Sequence, residues 1–194
     1  MNFLQNKQNL LPYDGEVYLL SNMLHPKMDM KKIISEVEWR DDKIKMFGKI
    51  YAQSRLVAWH GDVGVVYKYS NIKMVSHGWT NSLSLIKVHL LATLGIDFNS
   101  VLVNYYRDGD DHMSYHQDNE KELGFNPTIV SLSMGEERDF HFKHIKTNEV
   151  VLMKLRHGDC LIMSGETQTY WKHAIPKRKK IFTPRLNLTF RNII

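Results

Sequence analysis

Residues 104–120, NYYRDGDDHMSYHQDNE, gather His112, His116, Asp118 and further acids into one turn-rich stretch of an otherwise basic chain. His116 and Asp118 form an H-x-D pair, and on extended backbone alternate side chains project to the same side. A third ligand from elsewhere would complete a two-histidine, one-carboxylate set. That set holds non-haem Fe(II) on one octahedral face and leaves positions open for a reductant and dioxygen. His173, in the apolar run WKHAI, is the best third candidate. An H-x-D pair by itself also arises by chance in a chain with ten histidines. His112 and His116 offer a different geometry, an i, i+4 zinc pair, although DGDDHMSYH with its Gly109 is poor helix sequence. His60, His77, His89, His141, His144 and His157 read as surface or structural histidines.

A second group of residues carries charge in a pattern that also asks for a ligand. In RLNLTFR, Arg185, Asn187, Thr189 and Arg191 share one face, and Leu186, Leu188 and Phe190 share the other. An edge strand with one wet face would satisfy this pattern. A buried strand would need an anion for each cation, because an unpaired desolvated guanidinium is costly. A bound dicarboxylate meets that need, since the guanidinium fork matches a carboxylate. The two Arg backbones would stand about 20 Å apart along the strand, so both side chains must lean inward. Asn104 and Tyr106, alternating in VNYY, also face one way.

These residues need a scaffold, and 194 residues are enough to bury one core. A net charge of +5 permits a polyanionic partner without requiring one. Cys160 is the sole cysteine, which excludes disulfides and thiolate zinc sites and fits a reducing compartment. No apolar run has the length of a membrane span, and the first residues lack the layout of a secretory leader. Residues 26–39, PKMDMKKIISEVEW, predict a helix with Pro26 in its first turn. NSLSLIKVHLLATLG predicts a second helix, capped by Asn81 or Ser82, with Leu83, Ile86, Leu90 and Leu94 on one face and Gly95 at its end. From residue 98 onward, FNSVLVNYYR, TIVSLSMG, RDFHFKH, EVVLMKL, CLIMSG, TYWKHAI and RLNLTFRNII are short β-rich runs separated by turns. That spacing predicts a mainly β chain with flanking helices around a jelly-roll core. KMFGKIYAQSRLVAWHGDVGVVYKYS adds strands and hairpins ahead of it.

NYYRDGDDHMSYHQDNEKEL, WKHAIP and PRLNLTFR resemble, in order, three signature blocks of the AlkB family of Fe(II)- and 2-oxoglutarate-dependent nucleic-acid dealkylases. The likeness is closest to the members that repair double-stranded DNA and runs from about KMFGKIYAQSR to the C-terminus. It implies one catalytic domain over residues 1–194. About 20–97 would hold the helices and a nucleotide-recognition lid, and about 98–194 the double-stranded β-helix. It implies iron ligation by His116, Asp118 and His173, and a 2-oxoglutarate pocket of Asn104, Tyr106, Arg185, Asn187 and Arg191. Arg185 and Tyr106 would hold the distal carboxylate, with Arg191 and Asn104 near the iron-chelating one. Glu120 would read the exocyclic amine of the target base. Tyr67 and Tyr69 would form an aromatic lid over it, with the His116 ring on its other side. Phe47, in MFG, resembles a finger that fills the gap left by a flipped nucleotide. Lys177, Arg178, Lys179 and Lys180 resemble a loop that grips DNA phosphates. Asn119 departs from relatives that carry a second acid there. The implied reaction uses Fe(II), 2-oxoglutarate and dioxygen to demethylate 1-methyladenine and 3-methylcytosine in DNA, double-stranded or single-stranded. A monomer with no membrane partner is expected, nuclear in a eukaryote and cytoplasmic in a bacterium. Two alternatives stand beside it: an oxygenase of the same cofactor class acting on RNA or protein, and a non-catalytic nucleic-acid binding module.

Overall fold

The computed structural model of the protein describes residues 7–40, 43–46, 49–52, 54–69, 72–76 and 78–194. Phe47, Gly48 and His77 lie outside them. The strands are β1 (Glu16–Leu20), β2 (Lys43–Met46), β3 (Lys49–Ala52), β4 (Leu56–Gly61), β5 (Val66–Tyr69), β6 (Ile72–Val75) and β7 (Ser100–Tyr106). They continue with β8 (Met113–His116), β9 (Ile129–Gly135), β10 (Arg138–His144), β11 (Val150–Leu155), β12 (Cys160–Ser164), β13 (Trp171–Ile175) and β14 (Arg185–Arg191). The helices are α1 (Met30–Glu36), α2 (Asn81–Leu94) and the single turn α3 (Thr167–Tyr170). No helix among the described residues is long and apolar enough to cross a membrane.

Two antiparallel sheets make the jelly roll. The larger is ordered β1-β12-β9-β14-β7-β4, the smaller β11-β10-β13-β8. β2 with β3 and β5 with β6 form separate hairpins. Period-two alternation divides the large sheet into two chemical faces. One face presents Val101, Val103, Val130, Leu132, Leu186, Leu188 and Phe190 to Ile33 of α1 and to Leu83, Ile86 and Leu90 of α2. On the other, Tyr106, Ile129, Leu161 and Met163 join Phe140, Phe142 and Trp171 of the small sheet in a second core. The polar members of that inner face, including Asn104, Ser131, Ser133, Asn187 and Thr189, are buried between the sheets and floor the site.

Several sequence expectations need correction. β14 is no edge strand: it pairs with β9 on one side and β7 on the other, and all seven of its residues are buried. The division near residue 98 does not follow the sheet, because β1 and β4 are strands of it. The first helix is only seven residues long. Asp29 caps it by accepting hydrogen bonds from the N–H groups of Lys31 and Lys32, so Pro26 lies in a turn before it rather than in its first turn. It stops at Val37, where the chain becomes extended, and Arg40 then bridges to Val57 on β4. α2 has its expected face and ends at Gly95 with φ 70°, but Thr80 is its cap, accepting from Leu83 N–H at 3.2 Å.

Loops on the site side are tied together across the chain. Arg138, almost fully buried, donates to the carbonyls of Asp108, Asp111 and Pro176 at 2.8–3.0 Å. Gly109 lies so close to the segment after β13 that an added Cβ would sit 1.8 Å from the Arg178 carbonyl oxygen. Gly109→Ala is expected to force these two loops apart and destabilise the protein by about 1–3 kcal/mol, the range for overpacking. A thermal melt indistinguishable from wild type would contradict that packing.

Candidate active site

The antiparallel register of β8 and β13 sets His116 directly opposite His173. Their ring centroids are 4.2 Å apart, and Phe140 of the neighbouring strand lies almost parallel to the His173 ring at 5.5 Å. Asp118 follows two residues after His116. One potential ligand atom from each of His116, Asp118 and His173 lies within 4.8 Å of the others, a spacing that one ion can bridge. These three residues are the group of this kind found among the described residues.

The protonation states suit a cation. Burial, with His116 alongside, pushes His173 down to about 3, and burial likewise lowers His116. Both imidazoles are therefore neutral donors at neutral pH. His116 Nδ1 is 2.9 Å from the Ser114 carbonyl oxygen, which orients the ring and leaves Nε2 towards Asp118. Burial alone would raise the Asp118 carboxyl. The Arg191 guanidinium, donating to Oδ2 at 2.7 Å, instead holds it at about 2, and the two imidazoles assist. Oδ1, 3.7 Å from His116 Nε2, is the oxygen turned to the cluster.

A cavity beside the three residues is lined by Asn104, Tyr106, Asn187 and Arg191. Asn187 donates to Ser131 Oγ at 2.7 Å and accepts from Thr189 at 3.0 Å, so the floor is hydrogen-bonded internally. Arg185 lies behind Tyr106, its guanidinium 5.4 Å from that ring, and donates to Ser133 Oγ at 2.9 Å. It is 1% exposed, and its Nε and Nη1 have no hydrogen-bond partner. Burial lowers it to about 10, so it remains charged at neutral pH. A buried cation with two donors unanswered fits an incoming carboxylate, and the two Arg residues divide that work: Arg191 answers Asp118, and Arg185 answers no acid of the chain among the described residues.

The remaining expected residues fall in three places. Glu120 is half-buried, with its Oε2 enclosed and unpartnered, and desolvation raises its carboxyl. Tyr67 is fully enclosed, stacked on Trp59 at 5.8 Å, and its hydroxyl accepts from Arg191 at 3.1 Å. Tyr69 is on the same strand, β5. In the loop after β13, Lys177, Lys179 and Lys180 are exposed, whereas Arg178 is half-buried and ion-paired with Asp139. Phe47 is outside the described residues.

Three residues, a cation and a glutamine pair, escaped the sequence reading. Arg55, a single cation before β4, lines the cavity and donates through Nε to Asn104 Oδ1 at 2.7 Å. Gln117 and Gln168 lock the two ligand-bearing segments together. Gln117 Nε2 donates to the Gln168 carbonyl at 2.6 Å, and Gln168 Oε1 accepts from the Asp118 N–H at 3.0 Å. None of the three belongs to a charge or spacing pattern, so no local signal marks them.

This geometry can be set beside known proteins. Residues 16–191 match the family model of the 2OG-Fe(II) oxygenase superfamily. The chain is 37% identical over 187 residues to the DNA oxidative demethylase ALKBH2 of Mus musculus, covering 89% of this chain and 78% of that protein. The chain belongs to the AlkB family of Fe(II)/2-oxoglutarate-dependent dioxygenases. ALKBH2 of Homo sapiens is 39% identical over 160 residues, 78% of this chain and 61% of that one. The alpha-ketoglutarate-dependent dioxygenase alkB homolog 3 of Mus musculus is 35% identical over 174 residues, 84% of this chain and 60% of that one. The chain thus spans from about three-fifths to about four-fifths of these AlkB relatives. A solved structure of OsALKBH1 shares the fold, with a TM-score of 0.62 at 18% identity, covering 91% of this chain and 97% of that one. As a family member it uses Fe(II), 2-oxoglutarate and dioxygen.

Gln168→Leu removes the acceptor for the Asp118 N–H while keeping side-chain volume. It is expected to weaken Co(II) binding, followed by visible absorption without 2-oxoglutarate, by roughly 10–100-fold. The melting temperature of the metal-free protein should move far less. Unchanged Co(II) affinity would show that the glutamine pair is not needed to position the ligands.

Proposed function

We propose that this chain is a DNA oxidative demethylase that removes methyl groups from 1-methyladenine and 3-methylcytosine, coupled to 2-oxoglutarate decarboxylation and formaldehyde release. The reading rests on the His116–Asp118–His173 cluster, its aspartate and second histidine buried, beside the unanswered guanidinium of Arg185. The names of the ALKBH2 and alkB homolog 3 relatives support the oxidative chemistry and, in the former, DNA as the substrate.

When bound, the iron and its co-substrate supply the oxidation of the methyl carbon by dioxygen, with succinate, carbon dioxide and formaldehyde as products. The chain's own residues bind, orient and exclude water. His116, Asp118 and His173 would hold the metal. Arg185, with Tyr106, would anchor the distal carboxylate of 2-oxoglutarate, while Asn104 and Arg191 would flank its other end. Arg55 would keep the Asn104 amide in one orientation, because Asn104 Oδ1 already accepts its Nε–H.

A methyl on the base-pairing edge cannot be reached within a duplex, so the base must leave the stack and enter the pocket, at a cost of a few kcal/mol that is least for damaged bases. Glu120 would meet it there. These methylated bases are cationic, and the arrival of a positive ring favours the ionised carboxylate that burial otherwise disfavours. Tyr67 and Tyr69 of β5 would form the aromatic lid over the base, with the His116 ring on its other side. Phe47 would fill the vacated place in the duplex, and Lys177, Lys179 and Lys180 would hold phosphates, with Arg178 tied instead to Asp139.

Formaldehyde release should be measured on 1-methyladenine and 3-methylcytosine oligonucleotides, paired and unpaired, on methylated RNA and on a methylated peptide. Turnover of DNA that needs 2-oxoglutarate and disappears in His116→Ala is expected. Turnover of the peptide alone, or none that depends on 2-oxoglutarate, would overturn the reading. Arg185→Met should abolish thermal stabilisation by 2-oxoglutarate yet leave the unliganded protein at least as stable, because it removes an unpaired buried charge. Retained stabilisation by 2-oxoglutarate would rule out Arg185 as its anchor.

A further inference from the structure

The segment joining β13 to β14, residues 176–184, has no regular structure but is tied to neighbouring loops by several hydrogen bonds. Arg178 N–H donates to the Gly109 carbonyl at 2.7 Å, Gly109 N–H donates to the Ile181 carbonyl at 2.9 Å, and Ile181 N–H closes a turn onto Arg178 at 2.9 Å. The Arg138 guanidinium fixes the Pro176 carbonyl at one end, and the Thr183 hydroxyl binds the Glu136 carboxylate at the other. Between the fastened neighbours Ile181 and Thr183 stands Phe182, 83% exposed. The Ile181 backbone is bonded on one side of it, and the Thr183 side chain and the Pro184 carbonyl are bonded to Glu136 on the other. One residue further back, beyond Ile181, come the exposed cations Lys179 and Lys180.

We propose that Phe182 is a base-stacking platform, with Lys179 and Lys180 holding the phosphates of a strand whose unpaired nucleobase lies on the Phe182 ring. Cations that follow a backbone, with an aromatic face beside them, are what single-stranded nucleic acid binds. The partner is a strand with accessible bases, since a base within a duplex offers no free face. The anchoring partners relate this platform to the metal cluster at both ends. Residues 107–112 lead into β8 and His116, and the loop itself runs from the His173 strand to the Arg185 strand. The proposal rests on the nucleic-acid reading above and extends it to a residue outside the pocket.

The test is fluorescence anisotropy with the full chain, using an unmethylated single-stranded 12-mer and an abasic strand of the same length, without metal or 2-oxoglutarate. Phe182→Ala is expected to weaken binding to the base-bearing strand by roughly 5–100-fold and to leave abasic binding within about twofold. Phe182→Trp should retain affinity, and the Lys179→Ala, Lys180→Ala double variant should weaken both strands. Equal affinity of wild type and Phe182→Ala for the base-bearing strand overturns the proposal, as does an equal loss on both strands. If wild type still demethylates oligonucleotides in either case, the platform alone has failed. If it releases formaldehyde only from the peptide, the underlying nucleic-acid reading has failed instead.

Discussion

One contact between opposite charges, both withdrawn from water, organises the site. Arg191 Nη2 meets Asp118 Oδ2 at 2.7 Å, with both side chains about 95% buried. Desolvating each charge is expensive, and only close, well-aligned pairing offsets it; removing one partner of such a pair costs roughly 3–5 kcal/mol. The same guanidinium reaches the Tyr67 hydroxyl. It therefore joins the last strand, the ligand loop and the β5 hairpin through one group. By taking Oδ2, it leaves Oδ1 as the oxygen towards His116 Nε2, and it keeps the carboxylate ionised in surroundings that would otherwise protonate it. Metal ligation needs that state.

The second guanidinium on the same strand has the opposite situation. Arg185 is as deeply buried as Arg191, yet it has a serine hydroxyl and an aromatic ring where Arg191 has an acid. The Nε and Nη1 of Arg185 have no hydrogen-bond partner, so the guanidinium remains able to meet an incoming anion. The inner face of the large sheet carries a polar floor. Asn187, Ser131 and Thr189 satisfy one another, so the floor is polar without presenting a competing acid. Its opposite face, of Leu186, Leu188 and Phe190, packs on the helices. β14 thus separates a dry core from a reactive cavity by the thickness of one strand.

Precision at the ligands comes from braces that carry no chemistry of their own. His116 and His173 meet because β8 and β13 pair in one register, and a shift of one residue would turn either imidazole to the other side of its sheet. The Gln117–Gln168 exchange fixes the short segment beyond β8, where regular pairing has ended and Asp118 would otherwise be free to turn. Arg138 performs the corresponding task for the loops at the cavity's rim through three carbonyl oxygens.

Much of this was legible in the order of residues. The H-x-D pair, the later histidine in an apolar run and the alternation of RLNLTFR are local patterns. A strand's period of two determines which side chains share a face whatever the strand packs against. The second helix was equally plain, since its apolar spacing and terminal glycine are contained in fifteen residues. Period alone could not say what lay opposite a face, so the strand of Arg185 and Arg191 read equally well as a wet edge. Only pairing with β9 and β7, from distant parts of the chain, made it central and turned its cations into buried groups that need anions. The same holds for β1, which joins β12 across more than 140 residues, and for Arg55, Gln168 and the clamp beneath Phe182. Their roles depend on partners brought near by long-range packing, and that proximity is a property of the fold rather than of any short stretch of sequence.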